Sequence, residues 1–165
     1  MYKRTALSLE QALQKARHYC GYQERCHRDV QEKLYSFGLR KADVDRALAT
    51  LIEENYLNEE RFAVQYAGGH FRLKSWGRVR IRYELKQKQV SDYCIKKALA
   101  TIGEEDYEQA LEKLARDRAE ALADSPNAFV RRQKLQDFLL RKGYEQDKIM
   151  STLQHVLTDR NDHPA

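Results

Sequence analysis

"KSWGRVRIRYELKQK", Lys74 to Lys88, admits two folds. From Arg78 to Lys86 charged residues alternate with Val79, Ile81, Tyr83 and Leu85. That is the pattern of a half-buried strand. Read at helical spacing, Ile81 and Leu85 share a side instead. Arg80–Glu84 and Glu84–Lys88 then become i,i+4 pairs, each worth roughly 0.2–0.5 kcal/mol. Arg78, Arg82 and Lys86 become one exposed basic stripe. Six of the fifteen residues are Lys or Arg and only Glu84 is acidic, so either fold presents positive charge.

The rest of the chain decides between them. Three stretches align without a gap: 30–51 (VQEKLYSFGLRKADVDRALATL), 81–102 (IRYELKQKQVSDYCIKKALATI) and 135–156 (LQDFLLRKGYEQDKIMSTLQHV). Leu34, Leu85 and Leu139 coincide, as do Leu39, Val90 and Tyr144. So do Val44, Ile95 and Ile149, then Leu48, Leu99 and Leu153. Val30, Leu34 and Phe37 have helical spacing, and Gly38 and Gly143 stand where a helix ends in a left-handed residue. Two clear copies therefore assign helix to the ambiguous third. Gln89 occupies the glycine position of the middle copy, which makes that turn strained or differently shaped.

A further helix precedes each pair. Ser8 and Gln11 form a capping box for one over about 9–20. Asn58 caps a second over about 59–72. The third runs over about 105–123 and stops before Ser125-Pro126. The fold class is all-α: three tandem three-helix, helix-turn-helix-like repeats at 1–56, 57–102 and 103–158, with 159–165 as a flexible tail. Units of this size bury little core alone, so neighbours are expected to pack into an elongated, curved body.

Composition agrees. The chain of 165 residues has few Gly (7) and Pro (2) and a third of its residues charged. Glu, Lys, Arg, Gln, Ala and Leu are abundant and favour helix. No apolar run is long enough to span a membrane, and "MYKRTALSLEQALQKA" lacks a signal peptide's continuous apolar segment. A cytoplasmic monomer is expected. Cys20, Cys26 and Cys94 are too irregularly spaced for a disulfide framework or a zinc site. The sequence holds no phosphate-binding loop, dinucleotide turn or catalytic constellation. Neither enzymatic activity, cofactor nor metal is expected.

Charge locates the candidate site. Residues 1–56 carry a net +2, 57–102 a net +6 and 103–165 a net −3. A surplus this local points to a polyanion or an acidic protein surface as partner. Arg72, Lys74, Arg78, Arg80, Arg82, Lys86 and Lys88 supply charge, and Trp76 and Tyr83 supply flat apolar surface. The mixture suits phosphate contacts with stacking. An ordinary solvated helix face is the competing account for any one of these cations. Trp76 has its own, as a staple to the core. Tyr22, Arg25 and Arg28, next to Tyr19, form a second candidate at the corresponding turn of the first repeat. Reversing Arg78 and Arg82 together is expected to impair binding and spare the fold.

The run from Glu54 to Val90 resembles the RecX family, the bacterial regulators of the RecA recombinase. The family's "yLdDerFA" segment reads Tyr56-Leu57-Asn58-Glu59-Glu60-Arg61-Phe62-Ala63 here. Its Gly-x-x-x-Ile-x-x-Glu-Leu-x-x-Lys-Gly segment is matched by Gly77, Ile81, Glu84, Leu85 and Lys88. Asn58 replaces the usual Asp and Gln89 the usual Gly. The resemblance covers about 9–158 and extends to the tandem three-helix repeats. It implies binding to RecA–DNA filaments, in the filament groove, and inhibition of ATP hydrolysis, strand exchange and co-protease activity. A second reading stays open: a stand-alone helical DNA-binding protein contacting phosphates through its basic middle repeat.

Overall fold

A computed structural model describes residues 5–161. Among these residues the secondary structure is nine helices and no strand. They are α1 (Leu9–Tyr22), α2 (His27–Ser36), α3 (Lys41–Glu53), α4 (Glu59–Lys74), α5 (Arg78–Gln87), α6 (Asp92–Ala100), α7 (Glu104–Ala121), α8 (Ala128–Lys142) and α9 (Gln146–Asn161). The ambiguous stretch is helix α5. Its strand-like alternation is incidental, because Ile81 and Leu85 are both fully buried one turn apart. The expected tail begins inside α9, and its residues 162–165 lie outside the described residues.

The register of the repeats is visible in the helix starts. α3, α6 and α9 begin at Lys41, Asp92 and Gln146, the offsets at which the three stretches align. Every aligned apolar position is buried except Leu48, which packs half-buried against the same core. The turn before each of these helices takes one shape. Gly38 (φ 86°), Gln89 (φ 62°) and Gly143 (φ 95°) are all left-handed.

Gln89 therefore carries strain that glycine avoids. A left-handed residue costs an L side chain roughly 1–2 kcal/mol, offset in part by glycine's greater loss of freedom. Gln89→Gly is expected to stabilise the fold by about 0.5–1 kcal/mol, or to raise Tm by about 2–3 °C. A lowered Tm would mean that the Gln89 side chain supplies contacts outweighing the strain.

Local signals start the helices. The Ser8 hydroxyl accepts from the Gln11 N–H at 3.2 Å and the Gln11 side chain accepts from the Ser8 N–H at 3.1 Å, closing the capping box. Asn58 Oδ1 accepts from the Arg61 N–H at 2.9 Å. Asn127 does the same for α8.

Two compact units result. One joins the residues up to Tyr66 with Leu85–Ala98. α1, α2 and α3 enclose Leu13, Ala16, Val30, Leu34, Val44 and Leu51 there. Arg61 fastens α4 to this unit through Glu24, at 2.5 Å, and the Asn55 side chain, at 3.1 Å. The other unit joins Ala67–Glu84 with the residues from Leu99 on. Here α7, α8 and α9 pack on one another, burying Leu111, Ala115, Leu135, Leu139, Ile149 and Leu153.

Candidate functional site

In the second unit the chain leaves α4 at Lys74 and must turn sharply into α5. Trp76 is buried there, its ring 4.5 Å from that of His70. The apolar ring is the staple, so Trp76 offers a partner little surface. Gly77 lies flush on the turn after α8. A Cβ at Gly77 would collide with the Gly143 carbonyl and the Tyr144 nitrogen. The close approach lets the Gly77 N–H reach the Lys142 carbonyl at 2.8 Å and the Val79 N–H reach that of Gly143 at 2.9 Å. The Tyr144 hydroxyl donates to the Ser75 carbonyl at 2.9 Å. These bonds fix the first turn of α5.

Arg78 is the surprise of that turn. Its side chain is only 20% exposed. The guanidinium lies over the Tyr107 ring, 3.9 Å from its centre, and pairs with Glu104 at 2.6 Å and Glu145 at 3.4 Å. Its backbone N–H donates to the Tyr107 hydroxyl at 3.0 Å, and that hydroxyl donates to Glu145. Burial and the bond to Glu145 push the Tyr107 phenol far above its ordinary pKa. Lys148 closes the network on Glu104 at 2.5 Å.

Arg78 is thus committed inside the protein, and the expected stripe of Arg78, Arg82 and Lys86 loses its first member. The reason is geometric. Four-residue steps overshoot a 3.6-residue turn by about 40° each, so the line of cations winds around the helix.

The same network titrates. Hydrogen bonds from Lys148 and Arg78 hold the Glu104 carboxyl down at about 2, against an ordinary 4.5. The unfolded chain thus takes up this proton before the folded one does. Stability from the network is whole above about pH 4.5 and drains away as pH falls toward 2. Urea unfolding followed between these limits should show that loss, and Glu104→Gln should flatten it. An unchanged acid limb in Glu104→Gln would place the sensitivity elsewhere.

The other cations divide. Arg80 lies 4.1 Å over the Trp76 ring and donates to the Arg141 carbonyl at 3.3 Å, so it caps α8. Arg72, Lys74 and Arg82 are exposed, and none of the three forms an ion pair among the described residues. Lys86 pairs with Asp92 at 3.5 Å, and Lys88 stands 5.9 Å from the Tyr66 ring. What α5 presents outward is Val79, Arg82, Tyr83 and Lys86, spaced i, i+3, i+4, i+7. Tyr83 is 61% exposed, and Leu73, at the end of α4, 88%. The outward face is therefore apolar as well as basic. Val79 and Leu73 escape an inspection guided by charge; the helical spacing 79, 82, 83, 86 would have found Val79.

At the second candidate Tyr22 and Arg25 line one groove. Arg25 lies 3.8 Å over the Tyr19 ring and donates to the Tyr19 carbonyl at 3.2 Å. Arg28 is directed elsewhere, to Glu32 at 3.1 Å and to the Gln87 carbonyl at 2.7 Å. Cys20, Cys26 and Cys94 are buried free thiols. Burial pushes Cys26 up to about 11, so it stays protonated. Among the described residues no group of His, Cys, Asp and Glu could hold a metal ion, and no helix is long and apolar enough to cross a membrane.

An all-α protein of three-helix repeats, with a basic and apolar helix face, is the class these features define. Comparison names its family. Residues 58–99 match the family profile "RecX, second three-helix domain" and residues 104–153 match "RecX, third three-helix domain". The chain belongs to the RecX family. It is 34% identical over 133 residues to a protein of Clostridium perfringens named Regulatory protein RecX, an alignment covering 80% of this chain and 62% of that one. Against the protein of the same name from Cronobacter sakazakii, identity is 38% over 111 residues, with 66% and 64% covered. The chain thus spans less than two thirds of the length of these relatives. The crystal structure of RecX from Lactobacillus salivarius superimposes with a TM-score of 0.82 at 22% identity, over 90% of this chain and 96% of that one. A second structure, of a regulatory protein RecX, gives 0.79 at 23% identity, over 91% and 71%. Both are likenesses of fold.

Proposed function

We propose that this protein regulates a RecA recombinase by binding the RecA–DNA filament, and that the outward face of α5 carries the contact. The observation behind the proposal is that face: Arg82 beside Tyr83 and Val79, with no carboxylate pairing Arg82 among the described residues. Apolar and cationic groups together suit a surface made of protein and phosphate, where stacking and charge both count. Membership of the RecX family supports a recombinase filament as that surface. No bond to the partner has to be made or broken. Occupancy alone would restrain the filament and so inhibit ATP hydrolysis, strand exchange and co-protease activity.

The test is the single-stranded-DNA-dependent ATPase of the cognate RecA, titrated with this protein. DNA is kept in excess, so competition for DNA contributes nothing. Inhibition at substoichiometric ratios is expected. No inhibition up to equimolar protein would sink the proposal and leave phosphate binding to bare DNA as the reading to pursue.

A further inference from the structure

One groove of the first unit has no part in the face just described. Its floor is a stripe of α1, Lys15, His18, Tyr19 and Tyr22, at the spacing of a single helix face. Arg25 closes one end, and Lys33 and Phe37 form the wall. The groove has a volume of about 490 Å³ and is open to solvent.

Its charge is lopsided. None of the lining residues is a carboxylate. Lys15, Arg25 and Lys33 form no ion pair among the described residues, and each lies against an aromatic ring instead. Arg25 is 3.8 Å and Lys33 5.3 Å from the centre of Tyr19; Lys15 is 6.0 Å and Lys33 5.7 Å from that of Phe37. Asp29, whose charge reaches Tyr19, lies outside the lining. Three cations with no carboxylate among the lining residues repel one another, and a bound anion relieves that repulsion. At the lip Tyr22 is 80% exposed, a flat ring with nothing stacked on it among the described contacts.

We infer that this groove binds a short run of single-stranded nucleic acid. One base stacks on Tyr22, and Lys15 and Lys33 take the flanking phosphates. The guanidinium of Arg25, 3.8 Å over the Tyr19 ring, offers a second planar surface. An exposed ring at the lip of an open basic groove matches the way sequence-tolerant single-strand binders work. An acidic peptide would meet the charge but has no use for stacking surfaces, and an open groove gives it no socket for an anchoring side chain. Duplex DNA keeps its bases stacked inward and cannot use Tyr22. The inference stands apart from the proposed function, because a free oligonucleotide needs no recombinase.

The experiment is fluorescence anisotropy of a labelled oligothymidylate with the whole chain. Tyr22→Ala should weaken binding about tenfold, and Tyr22→Phe should restore it. Lys15→Gln with Lys33→Gln should lower the slope of log K against log salt by about 1.4. An oligomer of the same length lacking bases should bind weakly and be indifferent to Tyr22→Ala. Unfolding midpoints close to the parent would show that these exposed substitutions spare the fold. The inference is overturned if Tyr22→Ala leaves affinity unchanged in folded protein. It also falls if only Arg82→Glu weakens the oligomer, which would place the strand on α5. It falls too if an acidic polypeptide displaces the oligomer and shows the same dependence on Tyr22.

Discussion

Replacing Arg78 by glutamate is expected to cost the fold about 3 kcal/mol, below the full value for a buried pair because the side chain is partly exposed. The guanidinium sits between Glu104 and Glu145 over the face of Tyr107. Glutamate would put a third carboxylate in that position and leave Glu145 without its cation. Arg82→Glu on the same helix is expected to change stability by less than about 0.5 kcal/mol, as exposed substitutions do. The two variants should separate in opposite ways. Arg78→Glu should fail in urea and lose regulation only in proportion to unfolded protein. Arg82→Glu should unfold normally yet need at least about tenfold more protein for the same inhibition of the recombinase ATPase, since steering and contact both reverse. Equal stability in both variants would refute the network; equal inhibition would refute the face. The pair replaces the double reversal that the sequence alone recommends, which would confound folding with binding.

The architecture was open to the sequence because its signals are local or repeated. Capping at Ser8 and Asn58 needs four residues, and a register shared by Leu34, Leu85 and Leu139 needs only counting. At Gln89 the other copies left two options, a strained turn or a different shape, and the structure has the strained, left-handed one. The site was less legible. Whether a cation faces solvent depends on what another helix brings to it. Arg78 meets Glu104 from α7 and Glu145 from the turn before α9, and no spacing near residue 78 reveals either. Trp76 and Arg80 were absorbed too, Trp76 beside the His70 ring and Arg80 over Trp76 and on the Arg141 carbonyl of α8. Tyr83 and Arg82 were read as exposed because nothing distant claims them. Charge counting thus picks out a basic segment but does not say which of its cations face solvent. The middle repeat contributes residues to both compact units, so its helices carry packing duties that a repeat read by itself does not show.

Gly77→Ala should be a severely damaging single methyl in the second unit. A Cβ at this position meets backbone atoms of Gly143 and Tyr144 on the facing turn, and backbone cannot rotate aside as a side chain can. Relief requires α5 to lift, which breaks the bonds from the Gly77 N–H to Lys142 and from the Val79 N–H to Gly143. Overpacking costs roughly 2 kcal/mol and each lost backbone bond about 1 kcal/mol. The sum is about 4 kcal/mol, a fall in Tm of roughly 10 °C or more. The same substitution at Gly69, inside α4, should do the opposite. A Cβ there meets nothing within 4 Å, and alanine is the better helix former by about 1 kcal/mol. Gly69→Ala is therefore expected to raise Tm by a few degrees. Scanning calorimetry of the two variants gives a difference of sign rather than of degree. If both lowered Tm alike, the close approach of Gly77 to Gly143 would not be what holds the start of α5. Arg78 would then lack the fixed backbone that aims it at Tyr107.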